Sequence, residues 1–96
     1  MTSKWTRLAC GEPCYIRLPE VCGDPATVVF AHLRLIGISG AGLKAPDIIG
    51  CPACQPCHDE CDRRTSHYSR DTALMAHYEG AARWLYQLIK RGELKL

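Results

Sequence analysis

Apolar residues recur at steps of three and four near the end of the chain: Leu74, Met75, Tyr78, Ala81, Ala82, Leu85, Leu88 and Ile89. That period predicts a one-sided α-helix from about Asp71 to Arg91. Ser69 or Asp71 is placed to cap its start and Gly92 to end it. The expected core face is Leu74–Tyr78–Leu85–Leu88. Upstream, Thr27-Val28-Val29-Phe30-Ala31-His32-Leu33 is rich in β-formers and reads as a strand. The glycine-rich segment Ile36 to Gly42 reads as a loop or a glycine-bent return strand, and Pro46 to Gly50 as a short approach to the cysteines that follow. Pro56 suits the first turn of a short helix running to about Arg64. Pro19 keeps Cys14 to Cys22 extended or turn-like, Gly23-Asp24-Pro25 marks a turn, and residues 1–13 read as irregular or briefly helical.

Ninety-six residues and 10.7 kDa make room for a single domain, residues 1–96. A chain this short buries only roughly 60–65% of its unfolded surface, so its core is thin. With 47% apolar and 23% charged residues it reads as globular rather than disordered. Twelve Lys and Arg against ten Asp and Glu leave a net charge of +2, far below that of a histone-like DNA coat. Basic residues that meet nucleic acid must therefore be concentrated locally. There is no run of ~18 apolar residues to cross a membrane and no apolar leader behind Met1. The expected compartment is the cytoplasm, with no membrane partner.

Seven cysteines change the picture. Their number is odd, and in a reducing compartment such density points to metal rather than disulfides. A thin core needs a staple, and structural zinc supplies one. Cys51, Cys54 and Cys57 form two overlapping Cys-x-x-Cys pairs, each able to offer two thiolates to one ion. Cys54 and Cys57 need two further ligands, for which Cys14 and Cys22 are the natural candidates. Cys10 with Cys14, or a cage of Cys51, Cys54, Cys57 and Cys61, are the alternatives.

His58 and Asp62 stand four residues apart on the short helix and share a face. An imidazole and a carboxylate so placed can hold one divalent ion. Zinc ligation at Cys57 pins the start of that helix. His32 closes the apolar strand. If the strand lies against the helix, His32 faces the His58/Asp62 pair as a general base for water.

This order of residues resembles the HNH, or ββα-metal, nucleases. Cys14 and Cys22 stand where the first cysteine pair falls, His32 where the general base falls, and Asp47 near the Asn position. Cys54-Gln55-Pro56-Cys57-His58 followed by Asp62 matches the helix opening. More closely, the chain is similar to small lambdoid-prophage candidate nucleases of the YbcO type. The shared features are Ala31-His32-Leu33-Arg34, Lys44-Ala45-Pro46-Asp47 and Cys57-His58-Asp59-Glu60 leading to Asp62-Arg63-Arg64. Seven residues separate Cys14 from Cys22, Ala31 stands where many HNH enzymes carry a metal ligand, and the chain has no Asn.

The resemblance implies an α+β fold: a small zinc-stabilised ββα-metal domain with an added C-terminal amphipathic helix. It implies hydrolysis of DNA phosphodiester bonds by a phage or prophage enzyme. Structural zinc would sit on Cys14, Cys22, Cys54 and Cys57. A catalytic Mg²⁺, Mn²⁺, Ni²⁺ or Zn²⁺ would sit on His58 and Asp62, with His32 as base and Arg34, Arg63 and Arg64 on phosphates. A catalytically inactive zinc module that binds nucleic acid or protein is the other reading, favoured by Ala31. A thiol oxidoreductase lacks the βαβ pattern such a motif requires.

Overall fold

Elements follow one another in the order α1 (Lys4–Leu8), β1 (Val29–His32), β2 (Gly50–Ala53), α2 (Gln55–Cys61) and α3 (Arg70–Lys90), with a 3-10 turn at Pro25–Thr27. The structure is a computed structural model that describes residues 4–23, 25–33 and 48–94. Arg34, Asp47 and the glycine-rich segment 36–42 lie outside the described residues. The result is a small α+β arrangement. No helix among the described residues is long and apolar enough to cross a membrane.

The strands pair antiparallel, with Ala31 opposite Cys51 and His32 opposite Gly50. Gly50 is dictated by that pairing, because a Cβ there would overlap the Ala31 carbonyl oxygen. Every residue of β2 is buried, as a strand covered on both faces must be. One cover is α3, which packs across β2. The N–H of Tyr15 donates to the Pro52 carbonyl (2.9 Å), which brings the segment after α1 alongside β2.

The expected short helix begins where Pro56 indicates. Cys54 is its N-cap, in extended conformation, and the Gln55 N–H is satisfied by the Thr27 hydroxyl at 3.1 Å. It ends at Cys61 rather than Arg64. Arg63 takes a left-handed conformation (φ 62°) and turns the chain towards α3. Glu60 organises that connection. Its carboxylate is fully buried and accepts from the Thr65 hydroxyl (2.6 Å) and the N–H groups of His67 (3.1 Å) and Tyr68 (2.8 Å). The Thr65 hydrogen bond, followed by the backbone donors, holds its pKa down at about 2 against an ordinary 4.5.

The long helix lies where the periodicity predicts. Ser69 caps it by accepting from the Thr72 N–H at 3.2 Å, and the Gly92 N–H meets the Ile89 carbonyl at 3.1 Å at the far end. Its buried face, however, is Ala73, His77, Gly80, Trp84 and Leu88. The expected face is corrected: Leu88 is buried, but Tyr78 and Leu85 are 38% and 41% exposed, as are Met75 (59%) and Ile89 (37%). The reason is steric. A Cβ at Gly80 would lie 2.8 Å from the Tyr15 carbonyl oxygen and 3.0 Å from the Cys51 sulfur. The helix therefore turns its smallest residue to the closest crossing, and Trp84 fills the space one turn on, edge to face with Tyr15 (centroids 5.3 Å apart).

Two outcomes follow for stability. Gly80→Ala is expected to cost roughly 1–3 kcal/mol by overpacking, whereas Leu85→Ala is expected to change stability by less than about 0.5 kcal/mol. Urea melts of both variants check the assignment of the face; equal losses contradict it. Glu60 has a depressed folded-state pKa, so its contribution is fully present above 4.5 and is lost as pH falls through about 2. The wild-type melting temperature should therefore drop across that interval. Glu60→Gln should start lower at neutral pH and show a shallower acid limb; an unchanged limb would show that Glu60 does not govern it.

Candidate metal centre and adjoining cavity

The sulfurs of Cys14, Cys22, Cys54 and Cys57 all lie within 4.8 Å of one another. They come from two places in the chain. Cys54 and Cys57 flank the start of α2. Cys14 and Cys22 bracket a turn-rich segment in which Arg17 and Glu20 adopt positive φ (58° and 65°) and the Cys22 N–H returns to the Leu18 carbonyl at 2.8 Å. The seven intervening residues thus loop out and bring both sulfurs back to one point. The cages that use Cys10, Cys51 or Cys61 are not the ones assembled. Cys51 is buried in the sheet, Cys61 has its sulfur 3.6 Å from the Ala73 carbonyl, and Cys10 is exposed. All seven cysteines are free thiols.

The donor chemistry suits a soft divalent ion such as zinc. Zinc held by four sulfurs at ~2.3 Å implies S···S separations of about 3.8 Å, and the Cys22 and Cys54 sulfurs are 3.8 Å apart. Backbone N–H groups already point at the cluster, from Arg17 to Cys14 Sγ (3.4 Å) and from Gly23 to Cys54 Sγ (3.2 Å). The thiol of Cys57, donating to Cys14, holds the latter's pKa down at about 4. Donation to Cys14 and burial push Cys57 up, and burial pushes Cys22 up to about 11. Four thiolates at one point would need a cation to offset their charge.

The second group surrounds a cavity of about 230 Å³ lined by His32, Cys61, Asp62, Arg63, Arg70, Leu74 and His77. It lies between the end of β1, the last turn of α2 and the first turns of α3. His32 is half-buried and packs edge to face on Phe30 (centroids 4.9 Å apart). His58 Nε2 is 3.5 Å from Asp62 Oδ2, an i, i+4 contact between α2 and its C-cap residue. Gln55 Nε2, 3.5 Å from His58 Nδ1, also donates to Asp59 Oδ1 at 2.8 Å. The structure therefore brings His32 and Asp62 to one cavity, with His58 joined to them through Asp62. Of the expected phosphate contacts, Arg63 lines the cavity, whereas the Arg64 side chain is 68% exposed and lies 3.9 Å from Asp59 Oδ1.

Sequence reasoning missed His77 and Arg70. His77 is buried and donates from Nε2 to the Ala31 carbonyl at 2.9 Å, tying α3 to β1 next to His32. Burial depresses its pKa, against the opposing effect of the Ala31 hydrogen bond. The signal for it was the spacing Ala73–His77–Gly80–Trp84, a helical stripe hidden by its low apolarity. Ala31 itself is fully buried and meets this site through its carbonyl.

Comparison with known proteins places the chain in a family. A family model described as "Putative nuclease YbcO" matches residues 3–93. Proteins named "Putative nuclease YbcO" from Escherichia coli (strain K12) and "Putative nuclease ybcO" from Enterobacteria phage 82 are each 44% identical to this chain over 90 residues, covering 93% of it and 94% of the relative. A solved structure described as a putative bacteriophage protein from Escherichia coli K-12 is 40% identical, with a TM-score of 0.78 over 91% of this chain and 98% of that one. The chain belongs to the YbcO family.

Proposed function

We propose that the chain is a metal-dependent endonuclease of HNH type that hydrolyses DNA phosphodiester bonds, a phage or prophage enzyme working in the cytoplasm. The observation that carries the reading is the convergence of His32 and Asp62, from different elements, on one cavity, with His58 3.5 Å from Asp62. The relatives' names as nucleases support it. The ββα-metal unit is β1, β2 and α2, occupying a single domain with α3 added behind it. Cys14, Cys22, Cys54 and Cys57 are its structural zinc ligands.

His58 and Asp62 would hold the catalytic divalent cation, Mg²⁺, Mn²⁺, Ni²⁺ or Zn²⁺, which would supply positive charge to the phosphate and the leaving oxygen. With Ala31 offering no ligand, these two side chains are the protein's contribution to such a site. His32 accepts the proton of the attacking water, and its packing on Phe30 limits the orientations of the ring. His77 positions the strand that carries His32 by holding the preceding carbonyl. Arg63, Arg64 and Arg34 contact DNA phosphates.

Elemental analysis of protein purified without chelator should find one tightly bound zinc per chain. Cys57→Ser should lose it and melt far lower, because zinc binding in small domains contributes on the order of 10 kcal/mol to folding. A variant with unchanged melting and full zinc would remove the ligand assignment.

Catalysis is tested on supercoiled, nicked, branched and single-stranded DNA with each of the four cations. His32→Ala should keep fold and zinc content while cleavage falls ~10²–10⁴-fold, and His58→Ala should lose at least as much. Wild-type rates in His32→Ala would point to a contaminating nuclease. Binding without cleavage across the whole panel would indicate an inactive module.

A further inference from the structure

We propose that Arg70, at the start of α3, seats a phosphate of the nucleic acid at the cavity, forming with Arg63 a subsite for a phosphodiester. The substrate class rests on the endonuclease reading, whereas the place of the subsite rests on geometry alone.

The described arginines differ in what already faces them. Arg63 lines the cavity but is engaged internally: its Nη1 donates to the Tyr68 carbonyl at 3.1 Å and lies 3.6 Å from the buried Glu60 carboxylate. It serves the α2–α3 connection as much as the cavity. Arg64 faces Asp59 and does not line the cavity. Arg83 donates to the Tyr15 carbonyl and Arg91 grips Glu12 with both ends of its fork. Arg70 lines the cavity, is exposed, and its side chain makes no hydrogen bond or ion pair with the described residues.

Its surroundings suit an anion that arrives with a cation. Asp62 is the one carboxylate among the residues lining the cavity, and it lies on the side of α2, next to His58. Arg70 stands on the α3 side, with Leu74 one turn further along. Leu74 gives that wall an apolar surface, which strengthens a charge–charge contact made beside it. A guanidinium offers N–H donors in a fork that matches two phosphate oxygens. A phosphodiester lying between the two helices would therefore meet the cation ligands on one side and Arg70 on the other. The sequence shows nothing of this, because Arg70 is eight residues from Asp62 and only the turn at Arg63 folds them onto the same cavity.

The test uses the full zinc-loaded chain and fluorescent oligonucleotides, with affinity measured across a salt series. The variants are Arg70→Ala, Arg70→Lys and, as a control for bulk charge, Lys90→Ala at the far end of α3, about 30 Å away by the helix rise. Arg70→Ala is expected to weaken binding about tenfold or more, and to reduce the slope of log affinity against log salt by about one contact's worth. In cleavage, KM should rise more than kcat falls. Arg70→Lys should restore the slope but not the full affinity, since a point charge lacks the fork. Lys90→Ala should match wild type. Arg70→Ala that behaves like Lys90→Ala overturns the subsite while leaving the endonuclease reading in place. A wild-type protein that binds no nucleic acid overturns both. If Arg70→Ala lowers the melting temperature, Arg70→Lys decides: affinity and slope both at the alanine level despite a wild-type melt overturn the assignment, and a restored slope supports it.

Discussion

Four sulfurs gathered within 4.8 Å tie the segment 14–22 to the start of α2, and the position of the remaining elements depends on that tie. Cys54 follows the last residue of β2, caps α2 and contributes one of the sulfurs. The direction in which α2 leaves the sheet is thereby set at its first residue. His58 and Asp62 lie one and two turns along, so their distance from β1 is fixed by the same anchor. A domain this small has little core with which to hold a seven-residue helix by packing alone.

Local chemistry made much of this legible in the chain. The start of α2 could be read from Pro56, the caps of α3 from Ser69 and Gly92, and the strand from its β-branched run, trimmed to Val29–His32. Such features involve neighbours in sequence, where physical rules act over a few residues. The buried face of α3 was not legible. Hydrophobic periodicity ranks residues by apolarity, but this crossing selects for size. Gly80 and His77 are poor core residues by composition; one lets the helix approach a carbonyl and a sulfur, and the other satisfies a strand carbonyl. Apolar residues Met75, Tyr78, Leu85 and Ile89 were left outside as a consequence.

The site divides the same way. Cys54, Cys57, His58 and Asp62 occur within nine residues and announce themselves by spacing. Cys14 and Cys22 could be nominated only by count and chemistry, since a seven-residue gap encodes no geometry until Arg17 and Glu20 turn the chain. Arg70 and His77 enter the cavity wall through tertiary folding of the α2–α3 connection, which no local pattern reveals.

That connection carries a further consequence. Between α2 and α3 the residues are mostly exposed, and exposed connections ordinarily tolerate insertion and deletion. Here the donors at Thr65, His67 and Tyr68 converge on one buried carboxylate, so the loop has a fixed length in both directions. One residue more or fewer would leave Glu60 short of donors and would shift Arg70 along the cavity wall. A change of length in the connection that joins the two helical walls of the cavity therefore carries a cost in buried hydrogen bonds.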